Sequence, residues 1–330
     1  MKLDGKKLGT LLIIAVCAAY PYLTGQSGYY MTLFVTTCVF AMAAMALNLL
    51  TGYGGQISVG HAGFLMAGGY TVGLLGKAGF PRWIALPAAG VVAALFSLII
   101  GLAAVRLTGH FLAVTTLGFG LSVPLIALKW ESLTNGYSGI AVLRPDMLSS
   151  DLNMFYFVLL VTILTAWILS NIVKSGMGRA FVAIRESEVA AQASGIPVAF
   201  YKTVMFAISA FFTGIAGGIN ALWIGFISPS DYSIVHSLFL LAIIVVGGLA
   251  SIPGAIIGAV IYSVIPHFTD SFIGITNMVI GVAVILIIFY RSEGLVSIFR
   301  GVRLGGAKTA RLEAEGTPPK LGGVGKHDQV

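Results

Sequence analysis

Gln56, Ser58 and His61 are the polar side chains of one short stretch, GYGGQISVGHAGF, which spans residues 52–64 and contains five glycines. The apolar runs on either side of it are almost free of polar side chains. An amide, a hydroxyl and an imidazole can each exchange hydrogen bonds with a small polar molecule. Because none of the three has to carry a charge, they could contact a zwitterion without holding it tightly.

Further polar side chains are scattered through the other apolar runs. A second glycine-rich stretch, GGLASIPGA at 247–255, repeats the Gly-Gly-x-x-Ser pattern of GGQIS at 54–58, which would suit an internal repeat. Each polar residue could line a path or form a hydrogen bond between helices. The candidates for a polar path are Asn48, Gln56, Ser58, His61, Thr115, Thr116, Asn220 and Ser251.

Composition identifies the medium that surrounds these residues. The chain has 330 residues, of which 58% are hydrophobic and 9% charged, with a mean hydropathy of +0.97, whereas a soluble chain would carry about a quarter charged residues. Apolar runs of about 17–25 residues predict membrane-spanning helices. We therefore predict an all-α, polytopic transmembrane helical bundle of about ten spans, within a range of eight to ten. The predicted spans are 8–23, 31–50, 55–76, 83–105, 110–129, 153–173, 203–224, 237–250, 254–266 and 275–290.

The basic residues predict the orientation of the chain. With the N-terminus in the cytoplasm and ten alternating spans, 15 of the 19 lysines and arginines fall on the inner side, as the positive-inside rule requires. Both termini are then cytoplasmic, and the net charge of +7 reflects topology and not nucleic-acid binding. We expect one transmembrane domain over residues 1–290 and a basic, disordered cytoplasmic tail over 291–330.

Two interpretations of the stretch at 52–64 remain open. Irregular backbone at membrane depth must be enclosed by protein or line a water-filled path, and broken helices often meet polar solutes in such places. Alternatively, the stretch is a turn at the inner face whose glycines serve close packing, which the position of Gly52–Gly55 favours. A single histidine in an apolar setting, such as His61, is more often a structural residue than a proton carrier.

The residue types that are absent exclude several mechanisms. No Asp, Glu, Lys or Arg lies in the middle of a predicted span, although proton-driven carriers and many ion channels need such charges. The sequence also lacks the G-x-x-x-x-G-K-[ST] loop that binds ATP. Paired carboxylates and metal-spaced ligands are missing, and Cys17 and Cys38 lie inside apolar runs. We therefore predict neither an enzyme nor a metal site, and we expect any energy source to be a partner protein.

The loop from Lys174 to Lys202 could dock such a partner. It is the longest predicted cytoplasmic connection before the tail. Good helix formers between Gly178 and Gly195 predict one short amphipathic helix parallel to the membrane. Its apolar side would gather Phe181, Ile184, Val189 and Ala193. An ordinary basic loop that rests on the membrane surface is the alternative.

Five motifs resemble, in order, those of the LivM-type permeases, the branched-chain amino-acid family of bacterial ABC importers. LNLLTGYGGQISVGHAGFLMAGGYT is similar to that family's first signature. GRAFVAIRESEVAAQASGI is similar to its cytoplasmic coupling segment, with an Ala-Ala-x-x-x-Gly core at Ala190, Ala191 and Gly195. The others are HFLAVTTLGFG at 110–120, LTNGYSGI at 133–140 and VVGGLASIPGAIIGAVI at 245–261. Together the five occur in the family's order between residues 40 and 290.

The resemblance implies that the chain is one subunit of a larger transport complex. The partners that it implies are a second related permease in a heterodimer, two cytoplasmic ABC ATPase subunits and a periplasmic solute-binding protein, assembled at the bacterial inner membrane. The chain itself would bind no cofactor, because ATP and Mg²⁺ would be used by the ATPases. The residues expected to couple the chain to them are Arg179, Arg185, Glu186, Glu188, Ala190, Ala191 and Gly195.

The solute is the least constrained part of this resemblance. Branched-chain amino acids are what the family implies, while related permeases carry urea, short amides or organic acids. An ion-coupled secondary carrier and a facilitative channel are the alternatives outside the family. The sequence departs from the family's Thr-Gly-Gly at Asn135 and from its Arg-Pro at Ser292, and the first departure, in an external loop, bears on the solute.

Overall fold

The computed structural model describes residues 5–107 and 109–269, together with residues 278, 279, 281, 282 and 295. Within these ranges the chain forms α-helices joined by loops, with one pair of short strands. The helices are α1 Gly5–Leu23, α2 Gly28–Asn48, α3 His61–Lys77, α4 Arg82–Arg106, α5 His110–Lys129, α6 Glu131–Thr134, α7 Asp151–Lys174, α8 Gly176–Glu186, α9 Glu188–Ala193, α10 Val198–Ile224, α11 Ile234–Gly247 and α12 Ile252–Thr269. The tenth predicted span and the predicted tail lie almost entirely outside the described residues.

The loops between the long helices collect at two ends of the bundle. At one end, strand β1 (Ile140–Ala141) pairs antiparallel with β2 (Phe226–Ile227), and Ile140 lies opposite Ile227. We call this the strand end. The opposite end carries α8 and α9, the end of α2 and the start of α10, and we call it the α8–α9 end. The two ends separate the two groups of candidate residues described below.

The long helices are apolar enough to cross a membrane. Within the described ranges, six segments satisfy this by length and composition: Gly28–Tyr53, Trp83–Arg106, His110–Lys129, Asp151–Lys174, Val198–Ile224 and Pro229–Gly247. α1 and α12 contain the shorter apolar segments Leu12–Leu23 and Ile252–Pro266. α3 has 17 residues, fewer than the ~20 that a bilayer core requires. The fold is thus a polytopic helical bundle, and each predicted span from 8–23 to 254–266 overlaps one of its helices.

Glycines bring α3, α4 and α10 into close contact at the centre of the bundle. A methyl group at Gly68 would collide with the carbonyl oxygen of Gly214 in α10. A Cβ at Gly214 would itself lie 2.5 Å from Ala93 Cβ and 2.6 Å from Ala89 O in α4. Small residues permit such close helix packing in membranes, so these helices form the rigid centre of the fold.

Gly214→Ala is expected to lower the thermal stability of the chain, because the added methyl group overlaps two atoms of α4. Overpacking of a tight core costs about 1–3 kcal/mol. Gly118→Ala on α5 is the matched control, since nothing lies within 4 Å of its added Cβ. Thermal unfolding of both variants in detergent micelles checks the prediction, and equal unfolding midpoints would contradict it.

Arg144 closes the last turn of α10 at the strand end. Its Nε and Nη2 donate to Leu222 O (3.1 Å) and Trp223 O (2.9 Å). The guanidinium lies 4.7 Å from the centre of the Trp223 ring and forms an ion pair with Asp151 of α7. A cation near the C-terminal carbonyls of a helix is favourable, so Arg144 fastens the loop that precedes α7 to the end of α10.

Asn135, where the sequence departs from the family pattern, still forms a turn. It adopts a φ of 58°, in the left-handed region. Asparagine occupies this region several times more readily than most residues other than glycine. Asparagine in place of the family's glycine can therefore adopt the backbone conformation of this turn, although it presents a polar side chain to solvent.

Candidate functional site

The stretch GYGGQISVGHAGF forms a break between α2 and α3. α2 continues beyond Asn48 as a π-helical turn, Leu49–Tyr53, and Gly55 then redirects the chain with a φ of 67°. Residues 54–60, which we call the glycine-rich segment, are not helical, and α3 begins only at His61. The prediction of a helical span from residue 55 is therefore wrong at its start, because glycine disfavours helix at three of these seven positions.

The glycine-rich segment presents two faces. Gln56, Ser58 and Gly60 are buried, whereas Gly55 and Ile57 are exposed, with 40% of Ile57 accessible. The alternation turns the polar side chains toward the centre of the bundle. On the other face, the described residues leave Ile57 exposed, while the side-chain stem of Arg185 lies beside Gly55.

His61 lies at the centre of a buried hydrogen-bond chain. Its Nδ1 is 2.9 Å from Ser58 Oγ, and its Nε2 is 2.8 Å from Ser209 Oγ. Ser209 donates its own proton to Ala46 O at 2.7 Å, so it must accept from Nε2–H, and Ser58 must donate to Nδ1. Both ring nitrogens are engaged, and this geometry suits a structural histidine rather than a proton carrier.

The same contacts fix the depth of the glycine-rich segment. Ser209 lies eleven residues after Val198, the start of α10, which corresponds to about 16 Å of helix. His61 is therefore well inside the bundle, while Gly52 and Gly55 remain at the α8–α9 end. The stretch therefore combines a glycine turn at the α8–α9 end with polar side chains at depth, and contact between these side chains and a solute stays a prediction.

Side chains from two other helices complete the start of α3. Thr116 Oγ1 of α5 accepts from Val59 N at 3.0 Å, and Ser237 Oγ of α11 accepts from Ala62 N at 2.9 Å. Backbone N–H groups at a helix start have no partner within the helix, and these hydroxyls supply one. Ser209 and Ser237 were not predicted as site residues, because a lone serine in an apolar helix carries no distinctive sequence signal.

Asn48 joins the two glycine-rich stretches of the sequence. Its Nδ2 donates to Ser251 O (2.9 Å) and Gly248 O (3.2 Å), and its Oδ1 accepts from Ala250 N (2.9 Å). We call this set of bonds the Asn48 clasp. It holds the turn between α11 and α12, and a Cβ on Gly52 would collide with both Asn48 Oδ1 and Ala250 N. The two stretches that share a sequence pattern therefore lie side by side.

Two of the eight predicted path residues lie elsewhere. Thr115 is half-buried, and its hydroxyl donates to Phe111 O within α5 at 2.9 Å. Asn220 lies toward the strand end, 3.5 Å from the hydroxyl of Tyr232. Ser251 belongs to the Asn48 clasp through its backbone, and its side chain accepts from Gly254 N at the start of α12.

Gln56 carries a buried acceptor without a partner. Its Nε2 donates to Gly54 O at 3.4 Å. Its Oε1 has no hydrogen-bond partner in the part of the chain that the structure describes. An unpaired buried acceptor costs free energy, and at a break in a membrane helix it marks a position where a donor could bind.

The predicted amphipathic helix is divided in two. Ser187 interrupts it with φ −163° and ψ 116°, and its hydroxyl accepts from Ala190 N at the start of α9. The prediction of one helix from Gly178 to Gly195 is therefore wrong, because Ser187 acts as an N-cap. Gly195, with a φ of 81°, follows the end of α9.

The division changes which side chains reach the surface. The predicted apolar side does not stay together: Phe181 and Ile184 of α8 are buried in the bundle, whereas Val189 is 79% exposed and Ala193 is exposed as well. Ala191 is buried within the chain, so its side chain does not lie on the outer surface expected of it. Arg179, Glu186 and Ala190 are exposed.

Lys202 and Glu188 form an ion pair that the sequence did not predict. Lys202, assigned to the loop, lies inside α10, and its side chain is fully buried. Its Nζ is 2.7 Å from Glu188 Oε1 and donates to Ala104 O at 3.3 Å. The pair connects α9 to α10 and to the end of α4, so Glu188 is occupied inside the chain.

Comparisons with known proteins agree with this architecture. Residues 29–290 match the family model described as "Branched-chain amino acid transport system / permease component". The chain is 28% identical over 324 residues to the high-affinity branched-chain amino acid transport system permease protein LivM of Salmonella typhimurium, and equally to the protein of that name in Escherichia coli. Each alignment covers 89% of this chain and 76% of the relative. No solved structure matches the chain.

The match extends over far more than half of the chain and includes both glycine-rich stretches and the α8–α9 pair. The relatives are transport components and not enzymes, and the long apolar helices fit a multi-pass membrane protein. The chain belongs to the family of permease components of branched-chain amino acid transport systems.

Proposed function

We propose that the chain is one of two membrane subunits of an ATP-driven ABC importer in the bacterial inner membrane. Its solutes are branched-chain or other small amino acids, as the names of its relatives suggest. The observation that carries the proposal is the contact between an exposed helix pair and the polar break in the bundle: Arg185 of α8 donates to Gly52 O at 2.8 Å. Through this contact, movement of an ATPase bound to the α8–α9 pair is transmitted over a short distance to the residues at membrane depth.

The solute path runs, in this proposal, along the exposed face of the glycine-rich segment. Non-helical backbone at membrane depth cannot face lipid, so the exposed backbone at Ile57 must meet water or a second subunit. Gln56 supplies an amide oxygen that no described residue pairs with, and it can accept a hydrogen bond from the ammonium group of an amino acid. Because that oxygen is buried, the segment must shift before a solute reaches it.

The ATPase binds, in this proposal, to the outer surface of the α8–α9 pair at the cytoplasmic face. Val189 is 79% exposed there, and Met177 and Val182 are each 37% exposed. Arg179 and Glu186 of α8 are exposed as well and add charges to this surface. Protein interfaces combine buried apolar side chains with polar ones at the rim.

The other partners follow from the same proposal. A second, related permease forms the heterodimer, two ATPase subunits use ATP and Mg²⁺, and a periplasmic solute-binding protein delivers the solute. The binding protein mainly determines selectivity, so its ligand distinguishes amino acids from urea, short amides and organic acids.

Mild-detergent purification of the chain from its native membrane is expected to recover a second permease and two P-loop ATPases. Val189→Asp should reduce ATPase recovery about tenfold or more, because a central interface residue contributes ~2 kcal/mol or more to binding. The second permease should be retained. Lys174→Gln, an exposed change at the end of α7, is the control. Recovery of the chain alone would contradict the proposed function, and full ATPase recovery with Val189→Asp would contradict the docking surface.

A further inference from the structure

Arg185 is exposed on the helix that faces outward, yet its hydrogen bonds point inward as well. Nη1 donates to Gly52 O at 2.8 Å, while Nε and Nη2 donate to Glu186 Oε1 at 3.2 and 2.7 Å. The stem of the side chain covers the glycine-rich segment, because a Cβ on Gly55 would lie 2.7 Å from Arg185 Cγ. The side chain is 37% exposed, so it bridges the outer surface and the break.

The carbonyl that Arg185 binds has lost its helical partner. In an α-helix the N–H of residue 56 would bind Gly52 O, but Gln56 N binds Leu50 O instead, at 3.1 Å. The π-helical turn thus leaves Gly52 O free to accept from the guanidinium. π-turns inside helices often mark functional positions, and here the turn exposes an acceptor to the α8–α9 pair.

The opposite side of Gly52 rests on the Asn48 clasp. A Cβ on Gly52 would collide with Asn48 Oδ1 and Ala250 N, so there is no space between them. A displacement of Gly52 O by Arg185 must therefore move either the clasp or the glycine-rich segment. Close-packed interiors transmit such displacements because they contain few voids.

The far side of the α8–α9 junction is fixed. Glu188, three residues after Arg185, is held by the fully buried Lys202, which also binds Ala104 O of α4. Ser187, in extended conformation, separates the two. One side of the junction is thus tied to the rigid α4–α10 centre, and the other side to the polar break.

We propose that Arg185 is a positioning residue that transmits movement of the α8–α9 pair to the glycine-rich segment through Gly52 O, and that it is not primarily an ATPase contact. The inference rests on the proposed function, since it assigns a route for ATP-driven movement within that assembly. The Arg185 guanidinium holds Gly52 O next to the glycine-rich segment, while the Glu188–Lys202 pair keeps α9 attached to the bundle.

The test uses Arg185→Gln, Arg185→Lys and, as the matched control, Arg106→Gln, which removes an exposed arginine from the same end of the bundle. In the reconstituted assembly, Arg185→Gln should retain ATPase binding and ATP hydrolysis, but lower the amount of solute taken up per ATP about tenfold. Arg185→Lys should restore part of this ratio, because its ammonium can still donate to Gly52 O. Arg106→Gln should match the unaltered protein.

A second measurement separates this inference from the proposed function. Hydrogen–deuterium exchange of the isolated chain in lipid nanodiscs should be faster over residues 49–60 in Arg185→Gln than in Arg106→Gln. Unchanged exchange over residues 49–60 would overturn the inference that Arg185 acts on the glycine-rich segment, whatever the assembly transports. Loss of ATPase binding in Arg185→Gln in proportion to uptake would also overturn it, because Arg185 would then be a docking residue. An unaltered assembly without ATP-driven uptake would instead refute the proposed function, while the exchange experiment still decides the link.

Discussion

Replacing Glu188 by glutamine is expected to destabilise the chain by about 3 kcal/mol, because the fully buried ammonium of Lys202 loses its counter-charge. Removing one partner of a buried ion pair typically costs ~3–5 kcal/mol. The lower value is expected here, since the Glu188 side chain is 33% exposed and some water can reach the site. Thermal unfolding in detergent micelles measures the effect.

Two further variants distinguish the charge from the packing. Lys202→Met should cost about 1 kcal/mol, because the remaining carboxylate is partly exposed and can be hydrated. The double variant Glu188→Gln with Lys202→Met should be more stable than Glu188→Gln alone. If the double variant is instead less stable than both single variants, the ion pair does not hold α9 as described.

Asn48→Leu is expected to destabilise the chain by about 3 kcal/mol or more and to abolish transport. The change leaves Ala250 N, Gly248 O and Ser251 O without the partner that Asn48 provides. Each buried group left unpaired costs about 1–3 kcal/mol. The loss of the Asn48 clasp should also release the turn between α11 and α12 from the π-helical end of α2. Thermal unfolding and solute uptake measure the two effects separately.

Asn171→Leu is the control for this prediction, since Asn171 is an exposed asparagine on α7. It should leave the free energy of unfolding within about 0.5 kcal/mol of that of the unaltered protein, and it should leave solute uptake unchanged. Asn48→Asp retains the acceptor for Ala250 N but places a carboxylate beside two carbonyls, so it should be as harmful as leucine. Normal stability and uptake of Asn48→Asp would show that the clasp does not depend on the two hydrogen bonds that Asn48 Nδ2 donates.

The sequence was most informative where a signal is continuous along the chain. Apolar runs located the helices, and the ordered motifs identified the family, because both signals extend over many residues. The boundaries were less accurate. Residues 55–60 were counted as part of the third span because they adjoin a long apolar run, yet Gly55 adopts a φ of 67° and α3 begins only at His61. Ser187 was counted as part of a continuous helix because its neighbours are good helix formers, although serine is a favoured N-cap.

The contacts between distant parts of the chain could not be predicted in the same way. Asn48 binds residues about 200 positions away, and His61 binds Ser209, 148 positions away. A single sequence contains no signal that pairs such residues. Lys202 was assigned to the loop because lysine favours the inner surface, and only its position in α10 shows that Glu188 and Ala104 O stabilise its charge.

Uptake of labelled leucine by proteoliposomes that contain the purified assembly decides whether this chain belongs to an ATP-driven importer. ATP is placed on the side of the α8–α9 pair, and the solute-binding protein on the other. We expect accumulation against a gradient that requires hydrolysable ATP and continues in the presence of an uncoupler. Accumulation that needs no ATP and collapses with the uncoupler would contradict it and identify an ion-coupled carrier, and equilibration without accumulation would identify a channel.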